Sequence, residues 1–189
     1  MGIDPDLTLG AGRAAYFEEN RMSPDGGYDD AWVVIRVGEF PVFAFPNTAS
    51  RKRDVPLHDL HHVLTGYGTS LLGEAEIGAW ELGSDCRASP AAVFLNCQVF
   101  GLMLPRNPRR LFWAFMRGRR ARNLYGTRQD DALMSRSIRE VRETLRIGAP
   151  VGEPAARDHW AFVGWSARAL AMSWGPLVVI AALGGWIWG

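Results

Sequence analysis

The chain is poor in cysteine, histidine and lysine. Its two cysteines, Cys86 and Cys97, are too few for a disulfide framework in 189 residues, and they form no C-x-x-C pair. Nothing therefore points to a thiolate metal site. Lys52 is the only lysine. Residues 1–20 lack a basic start and an apolar run, so no signal peptide is expected and the body should stay in the cytoplasm. Asp and Glu are missing altogether from Cys86 to Gln129, where nine arginines fall. The net charge of +1 hides that segment, and a total so close to zero gives no reason to expect a nucleic-acid partner. Arginines interleaved with Phe112, Trp113 and Phe115 suit an anionic membrane surface or a phosphate-bearing ligand.

Charge is also missing from the end of the chain. "ALAMSWGPLVVIAALGGWIWG" (169–189) has no charged residue in 21. As a helix it would rise about 30 Å, the thickness of a bilayer's hydrocarbon. Tryptophans flank it, and Arg157 and Arg168 precede it with nothing basic after. This predicts a single-pass C-terminal anchor with the body on the cytoplasmic side. The expected organisation is a mainly helical domain over 1–150, a juxtamembrane linker over 151–168 and a membrane anchor over 169–189.

Within the body, a short helix is expected over roughly 11–20. The β-branched and aromatic runs at 33–37 and 42–45 predict a small N-terminal β-hairpin turning at Gly38 and Glu39. A polar loop over 47–54 should precede a helix starting at Pro56, and "GYG" should break that helix. Further helices are expected from Thr69 or Ser70 to Leu82, from Pro90 to Leu104 and from Asp130 to Arg146. The fold class is thus mainly α: a compact helical domain with a small hairpin and a C-terminal transmembrane helix.

Three of the four histidines stand within five residues, in "HDLHH" (58–62). On a helix His58 and His62 share a face, and Asp59 neighbours His62. Imidazole nitrogens and a carboxylate can converge there on one ion. Glu74 lies 12 residues beyond His62, about 18 Å away on a straight helix. Gly66 and Gly68 allow the chain to turn, so that a second helix returns Glu74 to the first. Glu81, on nearly the same face as Glu74, can support a ligand histidine from behind. His61 points off the His58/His62 face and is expected behind the site or at the surface. The fourth histidine, His159, lies near the anchor, so no Ser/His/Asp triad can be drawn. An H-x-x-H-H histidine box of membrane desaturases would need about eight histidines on several spans. A metal phosphohydrolase would need a histidine before His58, and there is none.

His58-Asp59-Leu60-His61-His62, eleven residues, then Glu74 reproduces H-D-x-x-H-x11-E. In this the chain resembles the coenzyme Q (ubiquinone) biosynthesis protein 4 family. The likeness is specific over Leu57–Trp80, including Gly73-Glu74 and the later Glu81, and looser out to Ile147. The resemblance implies a mainly helical, membrane-associated protein holding a divalent metal, zinc in the usual description. Its ligands would be His58, Asp59, His62 and Glu74, and the same four residues would form the catalytic centre. The implied activity is oxidative decarboxylation and hydroxylation at ring carbon one of a prenylated quinone precursor. Membrane lipids and other quinone-biosynthesis enzymes are the implied partners. A non-catalytic lipid-binding scaffold for those enzymes is the competing expectation. The apolar helix 90–104 and the aromatics at 111–116 would line a prenyl tunnel or simply form core.

Overall fold

Serine and threonine caps set most helix starts in this chain. Thr8 is extended and its hydroxyl accepts the N–H of Ala11, which opens α1 (Leu9–Glu19). Thr48 does the same for α2 (Ala49–Thr65) through the N–H of Arg51. This places the start of α2 two turns before the expected one at Pro56. The polar 47–54 segment is mostly helix, and Pro56 lies inside it, where it forgoes one backbone hydrogen bond. Ser70 caps α3 (Leu71–Gly83), and Ser89 caps α4 (Pro90–Met103), with Pro90 at the first helical position. A single 3-10 turn, Cys86–Ala88, joins α3 to α4.

The computed structural model describes residues 2–23, 26–37 and 40–188, the side chains of 33, 35–37, 40–43, 45 and 176–188 excepted. It is mainly helical, with eight α-helices among the described residues. After α4 come α5 (Pro108–Arg120), α6 (Asp131–Met134), α7 (Ile138–Thr144) and α8 (Ala156–Trp188). The helix expected over 130–146 is two. Ser137 divides it, capping α7 in a capping box with Glu140 and bridging its backbone to Thr8. Between α1 and α2, strands β1 (Trp32–Val37) and β2 (Phe40–Pro46) pair antiparallel, Trp32 opposite Pro46. Residues 38–39, where the hairpin's turn is expected, lie outside the described residues.

The core joins Leu57, Leu60 and Leu64 of α2 to Ala75, Ala79 and Leu82 of α3 and Phe115 of α5, all buried. Helix α3 packs on α4 and α5, and α4 packs on α8. The α3–α5 approach is close enough that a Cβ on Gly118 would collide with the Trp80 carbonyl. That crossing fixes α3, the helix that carries Glu74 and Glu81.

The segment expected as linker, 151–168, is helical from Ala156 onward. Asp158 is wholly buried there between Arg119 and Arg120 (3.2 Å each). Part of the expected anchor packs on α4: Ala169 is buried, Ser173 Oγ donates to the Cys97 carbonyl (3.1 Å) and Trp174 Nε1 to the Gly101 carbonyl (3.1 Å). Among the described residues no helix is long and apolar enough to cross a membrane. The side chains of 176–189, most of the expected anchor, lie outside the described residues.

Several arginines of the basic segment have partners inside the fold. Arg110 forms a two-bond pair with Glu76 (3.0 and 2.9 Å), and Arg117 donates to the Tyr67 hydroxyl (3.0 Å). Trp113, on the same helix, is 42% exposed, and Trp160 on α8 is 74% exposed.

Candidate metal centre

Helix α2 supplies two rings one turn apart, and the turn after it supplies the first restraint on them. Gly66 ends α2 with φ 78°, a backbone region that costs other residues roughly 1–2 kcal/mol. The chain reverses there, and the Tyr67 carbonyl comes to lie 3.0 Å from His62 Nδ1. A carbonyl can only accept, so Nδ1 of His62 carries the proton. His58 Nδ1 lies 2.9 Å from Glu81 Oε1 on α3, which is likewise an acceptor.

With both Nδ1 atoms committed as donors, the two Nε2 atoms face one another at 3.2 Å. Glu74, in the first turn of α3, closes the triangle. Its Oε2 lies 3.4 Å from His58 Nε2 and its Oε1 3.4 Å from His62 Nε2. Ligand atoms of His58, His62 and Glu74 all lie within 4.8 Å of one another, a group able to hold a metal ion. A tetrahedral ion bound at roughly 2.0–2.1 Å holds its ligands about 3.3–3.4 Å apart, so the donor spacing fits one. Two neutral imidazole lone pairs and a carboxylate repel at this distance unless they share a cation.

Glu81 is the support behind the site. It is wholly buried; Oε1 takes His58 Nδ1 and His61 Nδ1 (2.6 Å), while Oε2 accepts from Asn96 (2.6 Å) and the Tyr125 hydroxyl (2.9 Å). Burial alone would raise its pKa. The charge and hydrogen bonds of His58, with those of His61, hold it well below the usual carboxylate range. His61, also wholly buried, accepts the Leu124 N–H on Nε2 (2.8 Å). Its Nδ1 therefore donates to Glu81, and burial lowers its pKa, keeping the ring neutral.

Burial would likewise lower the pKa of His58, but the Glu81 and Glu74 carboxylates raise it well above the ordinary value. Burial would raise Glu74, and the hydrogen bonds and charges of His58 and His62 bring it down to about 2. Without metal the cluster thus keeps a proton on His58, in the place a metal ion would take.

Asp59 is not drawn into this triangle. The donors within 4.8 Å of one another are those of His58, His62 and Glu74, and Asp59 Oδ2 accepts from the Tyr28 hydroxyl at 2.6 Å. Burial raises its pKa, against the Tyr28 bond and the nearby His58 and His62. Tyr16 of α1 stacks on His62, centroids 5.5 Å apart and planes 18° apart.

A cavity of about 260 Å³ opens beside His58 and Glu74, walled by Leu71, Leu95 and Val99, with Arg51 also on its lining. No family model, curated protein or solved structure matches this chain. The chemistry of the centre therefore rests on its own residues. Sequence reasoning found the triangle and Glu81, but not Tyr28, Tyr125 or Asn96, whose contacts with the site carry no local spacing signal. Arg51 did carry one. It shares a helical stripe with Val55, His58 and His62, at offsets of four, seven and eleven.

Proposed function

We propose that the chain is a membrane-associated, metal-dependent enzyme of ubiquinone biosynthesis. Its reaction would be oxidative decarboxylation and hydroxylation at ring carbon one of a prenylated hydroxybenzoate. The observation that carries the metal-dependent chemistry is the three-donor set of His58, His62 and Glu74 beside an apolar cavity. Three protein ligands with room for a fourth partner are the pattern of a catalytic site rather than a closed structural one. Two histidines and a glutamate suit zinc. The pathway is supported by the H-D-x-x-H-x11-E likeness alone.

When bound, a divalent ion supplies Lewis acidity to an oxygen of the substrate ring. The chain's own residues do the rest. Glu81 and the Tyr67 carbonyl fix the tautomers of His58 and His62, so that both Nε2 atoms face the ion. Leu71, Leu95 and Val99 exclude water from the ring and the first part of the prenyl tail. Membrane association would come from 169–189 together with the exposed Trp113 and Trp160.

The test is turnover by the zinc-loaded chain in anionic vesicles. A prenylated para-hydroxybenzoate, with dioxygen and water as co-reactants, should lose carbon dioxide and gain a ring hydroxyl with hydrogen peroxide as the other product, read by mass spectrometry. Glu74→Ala should abolish the conversion with its helical circular-dichroism signal intact. Equal turnover in both proteins would contradict the reading.

A further inference from the structure

The cavity has a second pole, on the same face of α2 as the two ligand histidines. Arg51, Val55, His58 and His62 follow one another along one stripe of that helix, and Arg51 shares the cavity's lining with His58 and Glu74, two of the three donors. Seven residues separate Arg51 from His58, about 10 Å of helix rise, room for one aromatic ring between the poles. Among the described lining residues Arg51 is the only arginine or lysine.

The guanidinium is anchored. Its Nη1 donates to Asn47 Oδ1 at 3.1 Å. Asn47 is itself buried and donates to the carbonyls of Tyr28 (2.9 Å) and Asp30 (2.8 Å). An arginine held in this way loses less side-chain freedom on binding than one on a loose stem. Burial lowers the pKa of Arg51, and the Asp59 carboxylate opposes that in part. A guanidinium carries five N–H donors in a planar fork, and a carboxylate accepts two of them side by side.

We infer that Arg51 is the residue that binds the substrate's ring carboxylate, while the opposite, phenolic end of the ring faces the His58–His62–Glu74 triangle. The ligand class is an aromatic acid with an oxygen across the ring from the carboxylate and a hydrocarbon chain against Leu71, Leu95 and Val99. Arg51 is thus a specificity residue: it distinguishes the carboxylated ring from the same ring without its carboxyl. This rests on reading the cavity as the substrate site of the metal centre.

The experiment measures dissociation constants, not turnover, for two probes: a geranylated para-hydroxybenzoate and the matching ortho-geranylphenol. They are titrated into the zinc-loaded full chain in detergent, as wild type, Arg51→Gln and Arg51→Lys. Wild type should bind both and favour the acid. Arg51→Gln should weaken the acid about 10- to 100-fold, the effect of one lost charge-assisted pair, and shift the phenol by less than about threefold. Arg51→Lys keeps the charge but not the fork and should fall between. If Arg51→Gln does not fold, an unchanged acid preference in Arg51→Lys overturns the assignment. So does equal weakening of both probes in Arg51→Gln, or an acid preference that survives Arg51→Gln and vanishes when zinc is removed. In each of those outcomes the probes still bind and the metal reading stands. Failure of wild type to bind either probe overturns the substrate reading and Arg51's role with it.

Discussion

His58 and Glu81 are 23 residues apart in the chain and 2.9 Å apart in space, Nδ1 to Oε1. That single contact aims the other ring nitrogen of His58 at His62 and Glu74. It also ties the metal triangle to a buried network of His61, Asn96 and Tyr125.

Glu81→Gln should therefore lower zinc affinity about 10- to 100-fold, because the amide no longer holds the His58 ring as a carboxylate does. Glu81→Ala should cost about 3–5 kcal/mol of stability as well, since it strips the buried His61, Asn96 and Tyr125 of their acceptor. Competition with a chromophoric chelator and urea denaturation read the two effects separately.

His61 and His62 are adjacent and should behave oppositely. His62→Ala removes a donor from the triangle and should lose zinc. His61→Ala should keep one zinc per chain but lose about 2–4 kcal/mol of stability, because Glu81 loses one of its four donors and the buried Leu124 N–H loses its acceptor. Zinc analysis of the two purified variants, with their urea midpoints, checks this.

Metal binding should release protons. His58 has its pKa raised well above 6.5 in the metal-free fold, so at neutral pH a proton must leave before zinc enters. Calorimetric titration in buffers of different ionisation enthalpy should report about one proton released per zinc, and affinity should rise with pH through the neutral range. The stability of the metal-free protein follows the same groups. The His58 contribution is complete below its unfolded value near 6.5 and is lost as pH rises through the raised folded value. The Glu74 contribution is present above its unfolded value of 4.5 and is lost as pH falls from there towards about 2.

Two truncations separate the packed part of α8 from the expected anchor. Removing 176–189 should release the protein from anionic vesicles in a flotation assay. Removing 169–189 should cost about 3 kcal/mol or more, since Ala169, Ser173 and Trp174 pack on α4. Continued flotation after the shorter cut would contradict the anchor.

What the sequence made legible was local. The four-residue spacing of His58 and His62, the glycine break and the return of Glu74 follow from helix geometry and turn chemistry, and so does the seven-residue repeat from Glu74 to Glu81. The start of α2 was hidden because Thr48 and Pro56 are both plausible helix openings, and the cap on the Arg51 N–H decided between them. The split of 130–146 depended on Ser137 bridging to Thr8, a contact between distant parts of the chain. Asp59 has ligand spacing, yet one of its carboxylate oxygens accepts from the hydroxyl of Tyr28, 31 residues upstream. The partner of His61, the Leu124 N–H, comes from a loop 63 residues downstream. None of these long-range partners has a signature in local spacing.

The most direct test is zinc stoichiometry after equilibrium dialysis against micromolar zinc, for wild type and Glu74→Ala. Glu74 is 34% exposed at its side chain and can be truncated without opening the core. Wild type should retain one zinc per chain and Glu74→Ala close to none. A wild type that retains no zinc, or a Glu74→Ala protein that retains as much as wild type, would show that these three side chains do not hold a metal.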